Sequence, residues 1–379
     1  MHGRRHAAAL GVLTQSKSKA RHGAAERGAP SMKVSDFDFD LPTELIAQSP
    51  AEEREAARLL LLDRATGELA HYHVADLPDL LSPGDLLVVN DTRVFPARLL
   101  GYRVPSGGAV ECLLLKRLDD EQWEVLMHPG QKLKVGARVR FEANGSALEA
   151  EVVARHFHGR RTIRLWSASD ERVEVVVERI GHVPLPPYIR RPDADVDRER
   201  YQTVYATATG SVAAPTAGLH LTEPLLKRLA RHGIETARVT LHVGYGTFQP
   251  IRGEQMEDHR VEAEPYEVPA STAEAVNLAL SEGRRVIAVG TTSTRTLETA
   301  ALAVDGRIQS GAGVSDLYLY PGASFRVLGG VLTNFHLPRS SLLLLVAAFA
   351  GRERVLHAYR EAVRQGYRFY SYGDAMLVL

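Results

Sequence analysis

Cysteine is almost absent from this sequence, whose 379 residues include only Cys112. A single cysteine excludes a disulfide framework within the chain and a zinc site made of cysteine pairs. It also favours a reducing compartment, so we expect a cytoplasmic protein. An excess of either charge is absent as well, because 46 Lys and Arg residues balance 46 Asp and Glu residues. Binding of polyanions through overall charge is thereby excluded, although a local basic surface is not.

Long hydrophobic runs are also absent. The longest, residues 342–350, has about half of the ~20 apolar residues that a helix needs to cross a bilayer. We therefore expect a buried helix at this position and no membrane partner.

The first 31 residues differ in composition from the rest. They contain six basic residues against one acid, Glu26, and they show no apolar periodicity. The basic residues are Arg4, Arg5, Lys17, Lys19, Arg21 and Arg27. We expect residues 1–31 to be a disordered basic extension, with Met32 as an alternative first residue of the protein.

The remainder of the chain repeats a strand–loop–helix pattern. Residues 58–63 (RLLLLD) and 85–90 (DLLVVN) are typical of buried strands. Helix starts are indicated at Thr222, at Ser340 and, with Glu274 completing a capping box, at Ser271. Repeated units of this kind predict an α/β fold with a mostly parallel sheet and flanking helices. This α/β catalytic domain would be discontinuous, with residues 32–98 and 181–379.

Residues 99–180 are predicted to form an inserted small antiparallel β-barrel domain. Short strands separated by turns recur through this stretch, a pattern typical of a small barrel or sandwich. A basic cluster lies near its end: Arg155, His156, His158, Arg160, Arg161 and Arg164. The cluster indicates either a solvated hairpin tip or a contact with RNA.

The stretch at residues 210–220, GSVAAPTAGLH, consists mostly of small residues and ends in a histidine. Small residues let the main chain approach a bound molecule closely. Pro215, Thr216 and Gly218 are therefore predicted substrate contacts. The alternative is a tight structural turn.

Three other loops follow predicted strands, at residues 244–247, 290–293 and 335–338. Ligands of open α/β sheets bind at the carboxyl ends of strands, so we expect these loops to meet. The predicted substrate contacts in the first loop are Gly244, Tyr245, Gly246 and Thr247. His220, His242 and His336 lie in or beside such loops and are candidates for proton transfer or for structural hydrogen bonds. Their spacing does not support a metal site.

The loop at residues 290–295 (GTTSTR) opens a predicted helix. Its backbone N–H groups, together with Thr291, Thr292 and Arg295, suit a carboxylate or phosphate, whereas the alternative is an ordinary helix cap. It has neither the GxGxxG nor the P-loop spacing.

A polar string follows the predicted strand at residues 85–90. It contains Asn90, Asp91, Arg93 and Arg98, which are candidates for contact with phosphate or ribose. The alternative is an Asx turn with surface ion pairs. Farther along the chain, His259 and Glu264 form a second candidate pair for acid and base roles.

Five strings, in this order, resemble one family. They are GSVAAPTAGLH (210–220), HVGYGTFQP (242–250), VGTTSTRTLE (289–298), LTNFHLPRS (332–340) and YSYGDAMLVL (370–379). Over about residues 32–379 the chain resembles the S-adenosylmethionine:tRNA ribosyltransferase-isomerase family of queuosine biosynthesis.

The resemblance implies transfer of the ribosyl part of S-adenosylmethionine to 7-aminomethyl-7-deazaguanine at the wobble position of a tRNA. The ribose is isomerised, adenine and methionine leave, and epoxyqueuosine-tRNA forms. This chemistry needs a base near the sulfonium and an acid for adenine. It needs no metal or redox cofactor, because S-adenosylmethionine is a substrate, and we expect a monomer.

Roles for single residues follow from the resemblance and from residue type. We assign proton transfer to His220 and His336, and pairing with the sulfonium or amine to Glu264. Asp91 joins this catalytic set as a positioning group, with Arg93 and Asp374. Asn334 and His242, in matching strings, are further predicted substrate contacts.

The sequence departs from the family pattern at several positions. Val261–Glu262 stands where the family has Met-His, and Pro265 replaces an aromatic residue. Leu221 and Ala323–Ser324 are milder departures. No role is carried over for the missing histidine. Two other functions stay open: an S-adenosylmethionine-dependent RNA methyltransferase with a β-barrel domain, and a non-catalytic RNA-binding protein.

Overall fold

The computed structural model describes residues 32–248, 251, 253–302 and 306–379, so the predicted extension at residues 1–31 lies outside the described part of the chain. Within that part the strands are β1 Arg58–Leu62, β2 Leu69–His73, β3 Leu86–Asn90, β4 Thr92–Val94, β5 Arg98–Val104, β6 Ala109–Arg117, β7 Gln122–His128, β8 Arg138–Ala143, β9 Ser146–Arg155, β10 Arg160–Ser167, β11 Ala208–Ser211, β12 Glu235–Leu241, β13 Glu264–Val268, β14 Val286–Val289, β15 Gly311–Ser315, β16 Leu328–Asn334 and β17 Ala375–Val378. The α-helices are α1 Leu77–Leu80, α2 Val173–Ile180, α3 Asp195–Arg200, α4 Glu223–Arg231, α5 Ala270–Ser281, α6 Gly290–Leu302, α7 Ser341–Ala350 and α8 Arg352–Arg364.

The main sheet has the strand order β15-β13-β12-β3-β14-β16-β17-β1-β2 in the described residues. Strands β12, β3, β14 and β16 are parallel neighbours, and β17 is parallel to β1. The other four pairings are antiparallel. The prediction of a mostly parallel sheet is therefore wrong, and the sheet is mixed.

The physical reason lies in the connections. A parallel pair needs a crossover that returns the chain to the same end of the sheet. Two consecutive helices, α7 and α8, connect β16 to β17. They return the chain to the end of the sheet at which β16 finishes, so β17 runs antiparallel to β16. Between β12 and β13 the described residues form short 3₁₀ turns and no crossover α-helix. Reading each strand–loop–helix unit alone could not reveal these reversals.

Both faces of the sheet are buried. Along β3, Leu86 and Val88 pack into one apolar cluster, whereas Leu87 and Val89 pack into the cluster on the other face. Successive side chains of a strand point to opposite faces, so the unbroken run LLVV is what a strand covered on both sides requires. Helices α5, α6, α7 and α8 supply one of these covers, and α4 contributes to the other.

Strands β5–β10 form a closed antiparallel barrel in the order β10-β7-β6-β5-β8-β9, which confirms the small barrel. Along β7, Trp123, Val125 and Met127 are buried and alternate with more exposed residues. Helix α2 was not predicted; its Val176, Val177 and Ile180 pack into the barrel core. The sequence pattern did not indicate this helix, because its many β-branched valines are typical of strands. The domain boundaries stay predictions.

The residues at the helix N-termini agree with the sequence predictions for α4 and α7 but not for α5. Thr222 caps α4 as predicted, and Ser340, the predicted first residue of the next helix, caps α7; each accepts a hydrogen bond from a backbone N–H three residues later. Helix α5, however, begins at Ala270 after Pro269, without a side-chain cap, so the capping box at Ser271 is wrong. Among the described residues, none of the helices has the length and apolar content needed to traverse a bilayer.

The junction between barrel and sheet depends on a glycine. A Cβ on Gly181 would lie 2.1 Å from the carbonyl oxygen of Pro96 and 2.6 Å from that of Val177. We expect Gly181→Ala to lower the free energy of unfolding by about 1–3 kcal/mol through overpacking, as measured by urea unfolding. Gly130→Ala is the matched control, because its Cβ would have no neighbour closer than 3.4 Å. Equal effects of both substitutions would contradict this account.

Candidate active site

The three predicted loops do meet at one edge of the sheet. Strands β12, β14 and β16 end at Leu241, Val289 and Asn334, and the loops after them share one cavity of ≈ 90 Å³. We call this cavity the edge pocket. Its lining is Tyr188, Ala213, Ala214, Pro215, Thr216, Ala217, Val243, Thr247, Gly290, Thr291, Thr292, Thr333, Asn334, His336, Leu337, Pro338, Ser340, Leu342, Tyr370 and Ser371. None of these described residues carries a formal charge when His336 is neutral.

The N-terminus of α6 forms one wall of the edge pocket. Gly290 has φ +89°, which lets the chain turn directly from β14 into the helix. Thr291 and Thr292 line the pocket, whereas Ser293 and Thr294 donate hydrogen bonds to carbonyl groups four residues earlier. The first N–H groups of a helix lack intrahelical partners and carry partial positive charge. This wall therefore suits an anionic group.

His336 also lines the edge pocket. Its Nε2 lies 2.8 Å from Thr333 Oγ1, and its backbone N–H donates to the hydroxyl of Tyr359 over 3.1 Å. The side chain is 6% exposed. Burial lowers the pKa of His336 to about 3. The imidazole is therefore neutral at pH 7 and has a nitrogen lone pair.

His220 lies behind the pocket rather than on it. Its Nε2 is 3.2 Å from Asn334 Nδ2, which also donates to the carbonyl oxygen of Tyr370 over 3.0 Å. Burial, and then the charges of Arg54 and Arg368, lower the pKa of His220 to about 4. The neutral imidazole thus fixes the orientation of the Asn334 amide.

That orientation leaves one polar atom without a partner among the described residues. Asn334 is 1% exposed and lines the edge pocket, and its Oδ1 has no hydrogen-bond donor. A buried acceptor without a donor is costly unless a ligand or water satisfies it. Asn334 Oδ1 therefore marks a point at which a donor from a ligand or a water molecule is expected.

Two tyrosines close the edge pocket. The ring centroids of Tyr188 and Tyr370 lie 3.9 Å apart, and the ring planes are tilted by 32°. The hydroxyl oxygen of Tyr188 lies 2.5 Å from Ser371 Oγ. Aromatic faces attract cations and planar rings. Sequence reasoning did not single out Tyr188 or Tyr370, although the strings HVPLPPY and YSYGD, with their tyrosines beside prolines and glycine, carried the signal.

A second cavity, of ≈ 780 Å³, lies between the barrel and the sheet, and we call it the barrel cleft. Barrel residues such as Trp123, Glu124 and Arg160 line one side. The other side includes Gly210, His242, Gly244, Tyr245, Glu262 and Glu264. Val243 belongs to both linings, so the two cavities are adjacent. The larger cleft has room for a nucleobase.

Glu264 and Arg295 form a buried ion pair at the wall of the barrel cleft. Glu264 Oε2 accepts from Arg295 Nη1, and Glu264 Oε1 accepts from the backbone N–H of Gly244 over 2.7 Å. Arg295 also donates to the carbonyl oxygens of Leu317 and Ser315. Arg295 is not among the described residues that line the edge pocket, so its guanidinium holds the strands around Glu264 instead.

His242 is fixed between β4 and β11. Its Nδ1 lies 2.8 Å from Thr92 Oγ1, which is itself 2.8 Å from Ser211 Oγ. Burial lowers the pKa of His242, and the charge of Asp91 opposes that change. A Cβ at Gly210 would lie 2.8 Å from the imidazole ring, so only glycine allows this close approach.

The departure from the family pattern at Glu262 lies in the barrel cleft. Glu262 accepts a hydrogen bond from Arg160 Nη2, and Arg160 Nη1 donates to Glu124 over 2.8 Å. An ion pair therefore joins the barrel to the loop before β13 at this position. Arg160 is the member of the predicted basic cluster that reaches the cleft.

Several predicted site residues have other partners and lie outside both cavity linings in the described residues. Asp91 accepts from the hydroxyls of Thr207 and Thr240, and Asp374 accepts from the backbone N–H groups of Arg58 and Arg368. Burial raises the pKa of Asp374. The others are Asn90, Arg93, Arg98, Gly218, His220, Gly246 and Arg295. Their assignments stay predictions.

Arg98, Gly218 and Arg93 have different surroundings. Arg98 pairs with Glu111 through two hydrogen bonds of 2.7 and 3.2 Å. Gly218 leaves room for the Tyr205 hydroxyl, which would lie 2.1 Å from a Cβ at that position. Arg93 is exposed on β4. His259, the other histidine considered, packs edge-on against Tyr318. Among the described residues no group of three His, Cys, Asp or Glu side chains could hold a metal ion.

Breaking the buried pair should destabilise the protein. Glu264→Gln retains an acceptor for Gly244 but leaves the Arg295 charge without a counterion, so we expect the free energy of unfolding to fall by about 3 kcal/mol. Urea unfolding measures this loss. Glu235→Gln removes an exposed partner of Arg284 and should cost less than about 1 kcal/mol. A loss at Glu264 as small as that of the control would refute the structural role of the pair.

Burial of neutral His336 makes stability depend on pH. The unfolded chain takes up a proton near its ordinary pKa of 6.5, whereas the folded imidazole does so only near a pKa of about 3. The contribution of neutral His336 to the free energy of unfolding is therefore complete above about pH 6.5 and declines as the pH falls. Between pH 7 and pH 5 the native protein should lose on the order of 2 kcal/mol more than His336→Asn. Urea unfolding of both proteins at the two pH values measures the difference, and parallel losses would rule it out.

Comparisons with known proteins agree with this architecture. Residues 34–378 match the family described as Queuosine biosynthesis protein. A relative from Moorella thermoacetica, named S-adenosylmethionine:tRNA ribosyltransferase-isomerase, is 51% identical over 348 residues, which are 92% of this chain and 100% of the relative. A relative of the same name from Anaeromyxobacter sp. is 51% identical over 350 residues, 92% of this chain and 99% of the relative.

A solved structure is also similar. The crystal structure of an S-adenosylmethionine tRNA ribosyltransferase from Thermotoga maritima matches with a TM-score of 0.52 and 36% identity, covering 91% of this chain and 100% of that one. The methyltransferase alternative finds no support in these comparisons. The family match covers nearly all of residues 32–379, and about half of the aligned positions are identical in the relatives. The chain therefore belongs to the queuosine biosynthesis protein family.

Proposed function

We propose that this protein is an S-adenosylmethionine:tRNA ribosyltransferase-isomerase. It would transfer and isomerise the ribosyl group of S-adenosylmethionine onto 7-aminomethyl-7-deazaguanine at the wobble position of a tRNA, releasing adenine and methionine. Family membership supports the reaction class. The single structural observation that carries the proposal is the pair of adjacent cavities, a smaller one at the sheet edge and a larger one between the sheet and the barrel.

The edge pocket is the proposed site of S-adenosylmethionine. The methionine carboxylate would lie against the N-terminus of α6, where Thr291 and Thr292 line the pocket and the helix dipole favours an anion. The Asn334 Oδ1, which has no partner among the described residues, would accept a hydrogen bond from an amine or hydroxyl of the substrate. The Tyr188 and Tyr370 rings suit the sulfonium or the adenine ring.

His336 is the proposed proton-transfer group. Its imidazole lines the edge pocket and is neutral at pH 7, because burial lowers its pKa to about 3; the neutral ring has the nitrogen lone pair that a proton acceptor needs. The carbon beside the sulfonium is acidified by the positive charge, so it is a suitable proton donor. His220 would act as a positioning residue, since it contacts Asn334 rather than the lining of the pocket. The apolar wall of Ala213, Val243 and Leu342 would exclude water.

The barrel cleft is the proposed site of the modified base. Its aminomethyl nitrogen must be neutral to attack the ribosyl group, and it must reach S-adenosylmethionine across the loop at Val243, which lines both cavities. Glu264 fixes this loop through the Gly244 N–H and places a carboxylate beside the incoming amine. Glu262 and Arg160 would hold the barrel side of the cleft at a fixed distance.

The proposal includes no metal and no redox cofactor, since S-adenosylmethionine supplies both the leaving groups and the ribosyl carbons. Proton transfers and a displacement at carbon balance the net reaction without an oxidant. We further propose that the protein acts in the cytoplasm, and as a monomer whose own residues form both cavities.

The test mixes the protein, S-adenosylmethionine and tRNA bearing 7-aminomethyl-7-deazaguanine, and measures small products by chromatography. We expect adenine and methionine in equal amounts, dependent on the modified tRNA. His336→Asn should lower kcat by about 100-fold or more, because positioned proton transfer contributes about 10²–10⁴-fold.

His232→Asn is the matched control, because this histidine is exposed at the end of α4 and should leave kcat within about twofold. Melting temperatures of both variants separate loss of catalysis from loss of folding. Release of S-adenosylhomocysteine would overturn the proposal. Binding of tRNA without any turnover would instead indicate a binding protein.

A further inference from the structure

The two ends of the barrel carry opposite charge. At the end formed by the β6–β7 turn and the segment between β10 and α2, the pocket lining includes Asp120, Glu121, Asp170, Glu171 and Glu174 beside two arginines. Strand β7 starts at this end and finishes at the other, and β10 runs the opposite way. The balanced charge of the sequence therefore conceals a polarised barrel.

The other end carries a cluster of basic side chains. We define the basic tip as residues 126–134 and 155–161, which bring together the end of β7 and the β9–β10 connection around a groove. These two segments contain no Asp or Glu. Their basic side chains are His128, Lys132, Lys134, Arg155, His156, His158, Arg160 and Arg161. An anionic partner is favoured here.

The side chain of Phe157 lies among the basic residues of the tip. Phe157 is 87% exposed, the largest fraction among the exposed large hydrophobic side chains of the described residues. Exposing a phenylalanine ring to water is unfavourable. Because this ring is flanked by Arg155, His156 and His158, the tip combines a stacking surface with basic side chains. This is the combination by which proteins bind unpaired nucleotides.

The basic tip is held rigid from inside. Arg161 is 2% exposed, and its guanidinium donates to the carbonyl oxygens of Leu133, Gly130, His156 and Arg160. His156 Nε2 lies 2.9 Å from Thr162 Oγ1. The turn is therefore fixed before any partner arrives, which lowers the entropic cost of binding.

The basic tip is also continuous with the barrel cleft. Gly159 lines the groove of the tip, and its neighbour Arg160 lines the cleft and pairs with Glu262. A polynucleotide with one base in the cleft would have adjacent nucleotides within reach of the tip. Phe157 would then stack on a base, and Arg155 would contact a phosphate.

We propose that the basic tip is a second binding surface for the substrate RNA, on which Phe157 stacks against an unpaired base of the loop that carries the reacting nucleotide. This rests on the proposed function for the choice of an RNA. The tip would make affinity depend on the RNA loop beyond the base that reacts.

The experiment measures the affinity of the full-length protein for fluorescently labelled tRNA by anisotropy at several salt concentrations. We expect Phe157→Ala to weaken binding about tenfold, as removal of a stacked base contact does. Arg155→Ala should weaken binding and reduce the magnitude of the slope of log affinity against log salt concentration by about 1, as expected for the loss of one phosphate contact. In turnover assays Phe157→Ala should raise KM for tRNA more than it lowers kcat.

Matched controls come from the acidic end of the barrel. Leu118 is 48% exposed and Arg172 is 79% exposed in its side chain; Leu118→Ala and Arg172→Ala should bind tRNA like the native protein. Native affinity in Phe157→Ala and Arg155→Ala, or equal losses in the controls, would overturn the second surface. Failure of the proposed function would show differently, as native tRNA binding without release of adenine and methionine.

Discussion

One buried side-chain amide connects the elements that form the edge pocket. Asn90, at the end of β3, accepts from the backbone N–H groups of Thr92 and Leu241 and donates to the Leu241 carbonyl oxygen and to Thr292 Oγ1. All four bonds are 3.0 or 3.1 Å long. Asn90 thus joins β3, β12 and the N-terminus of α6. Because a buried amide must satisfy both of its polar ends, the relative position of the three elements has little freedom.

The barrel cleft depends on a different constraint. The Glu264–Arg295 pair connects β13, α6 and the residues around β15, and the same carboxylate orients the backbone of Gly244. A single ion pair therefore couples the shape of the loop between the two cavities to the packing of the sheet edge. The Arg160–Glu262 pair then links the barrel side of the cleft to the loop before β13. In our proposal one cavity positions the donor, the other positions the acceptor, and these contacts fix the distance between them.

The sequence predicted much of the fold and part of the site. Alternating and continuous apolar patterns identified most strands, and the glycine- and threonine-rich loops after them were placed at one edge, where they meet. Helix α2 was missed because its valines are typical of strands. Asp374, Asp91 and Arg98 were assigned from residue type, whereas the structure gives their side chains partners outside the cavities. A sequence shows which groups are polar, but not which backbone groups will satisfy them.

The sequence by itself determined the family, through strings such as GSVAAPTAGLH and LTNFHLPRS, and the class of fold, through the period of its apolar residues. The tertiary structure decided which way the outer strands run, since the end at which a chain leaves a helix depends on packing across the sheet. It also decided that His336 faces the edge pocket and His220 lies behind it. Both histidines stand at loop positions in the sequence, and only the enclosure by distant elements distinguishes a residue that can touch a ligand from one that orients its neighbour.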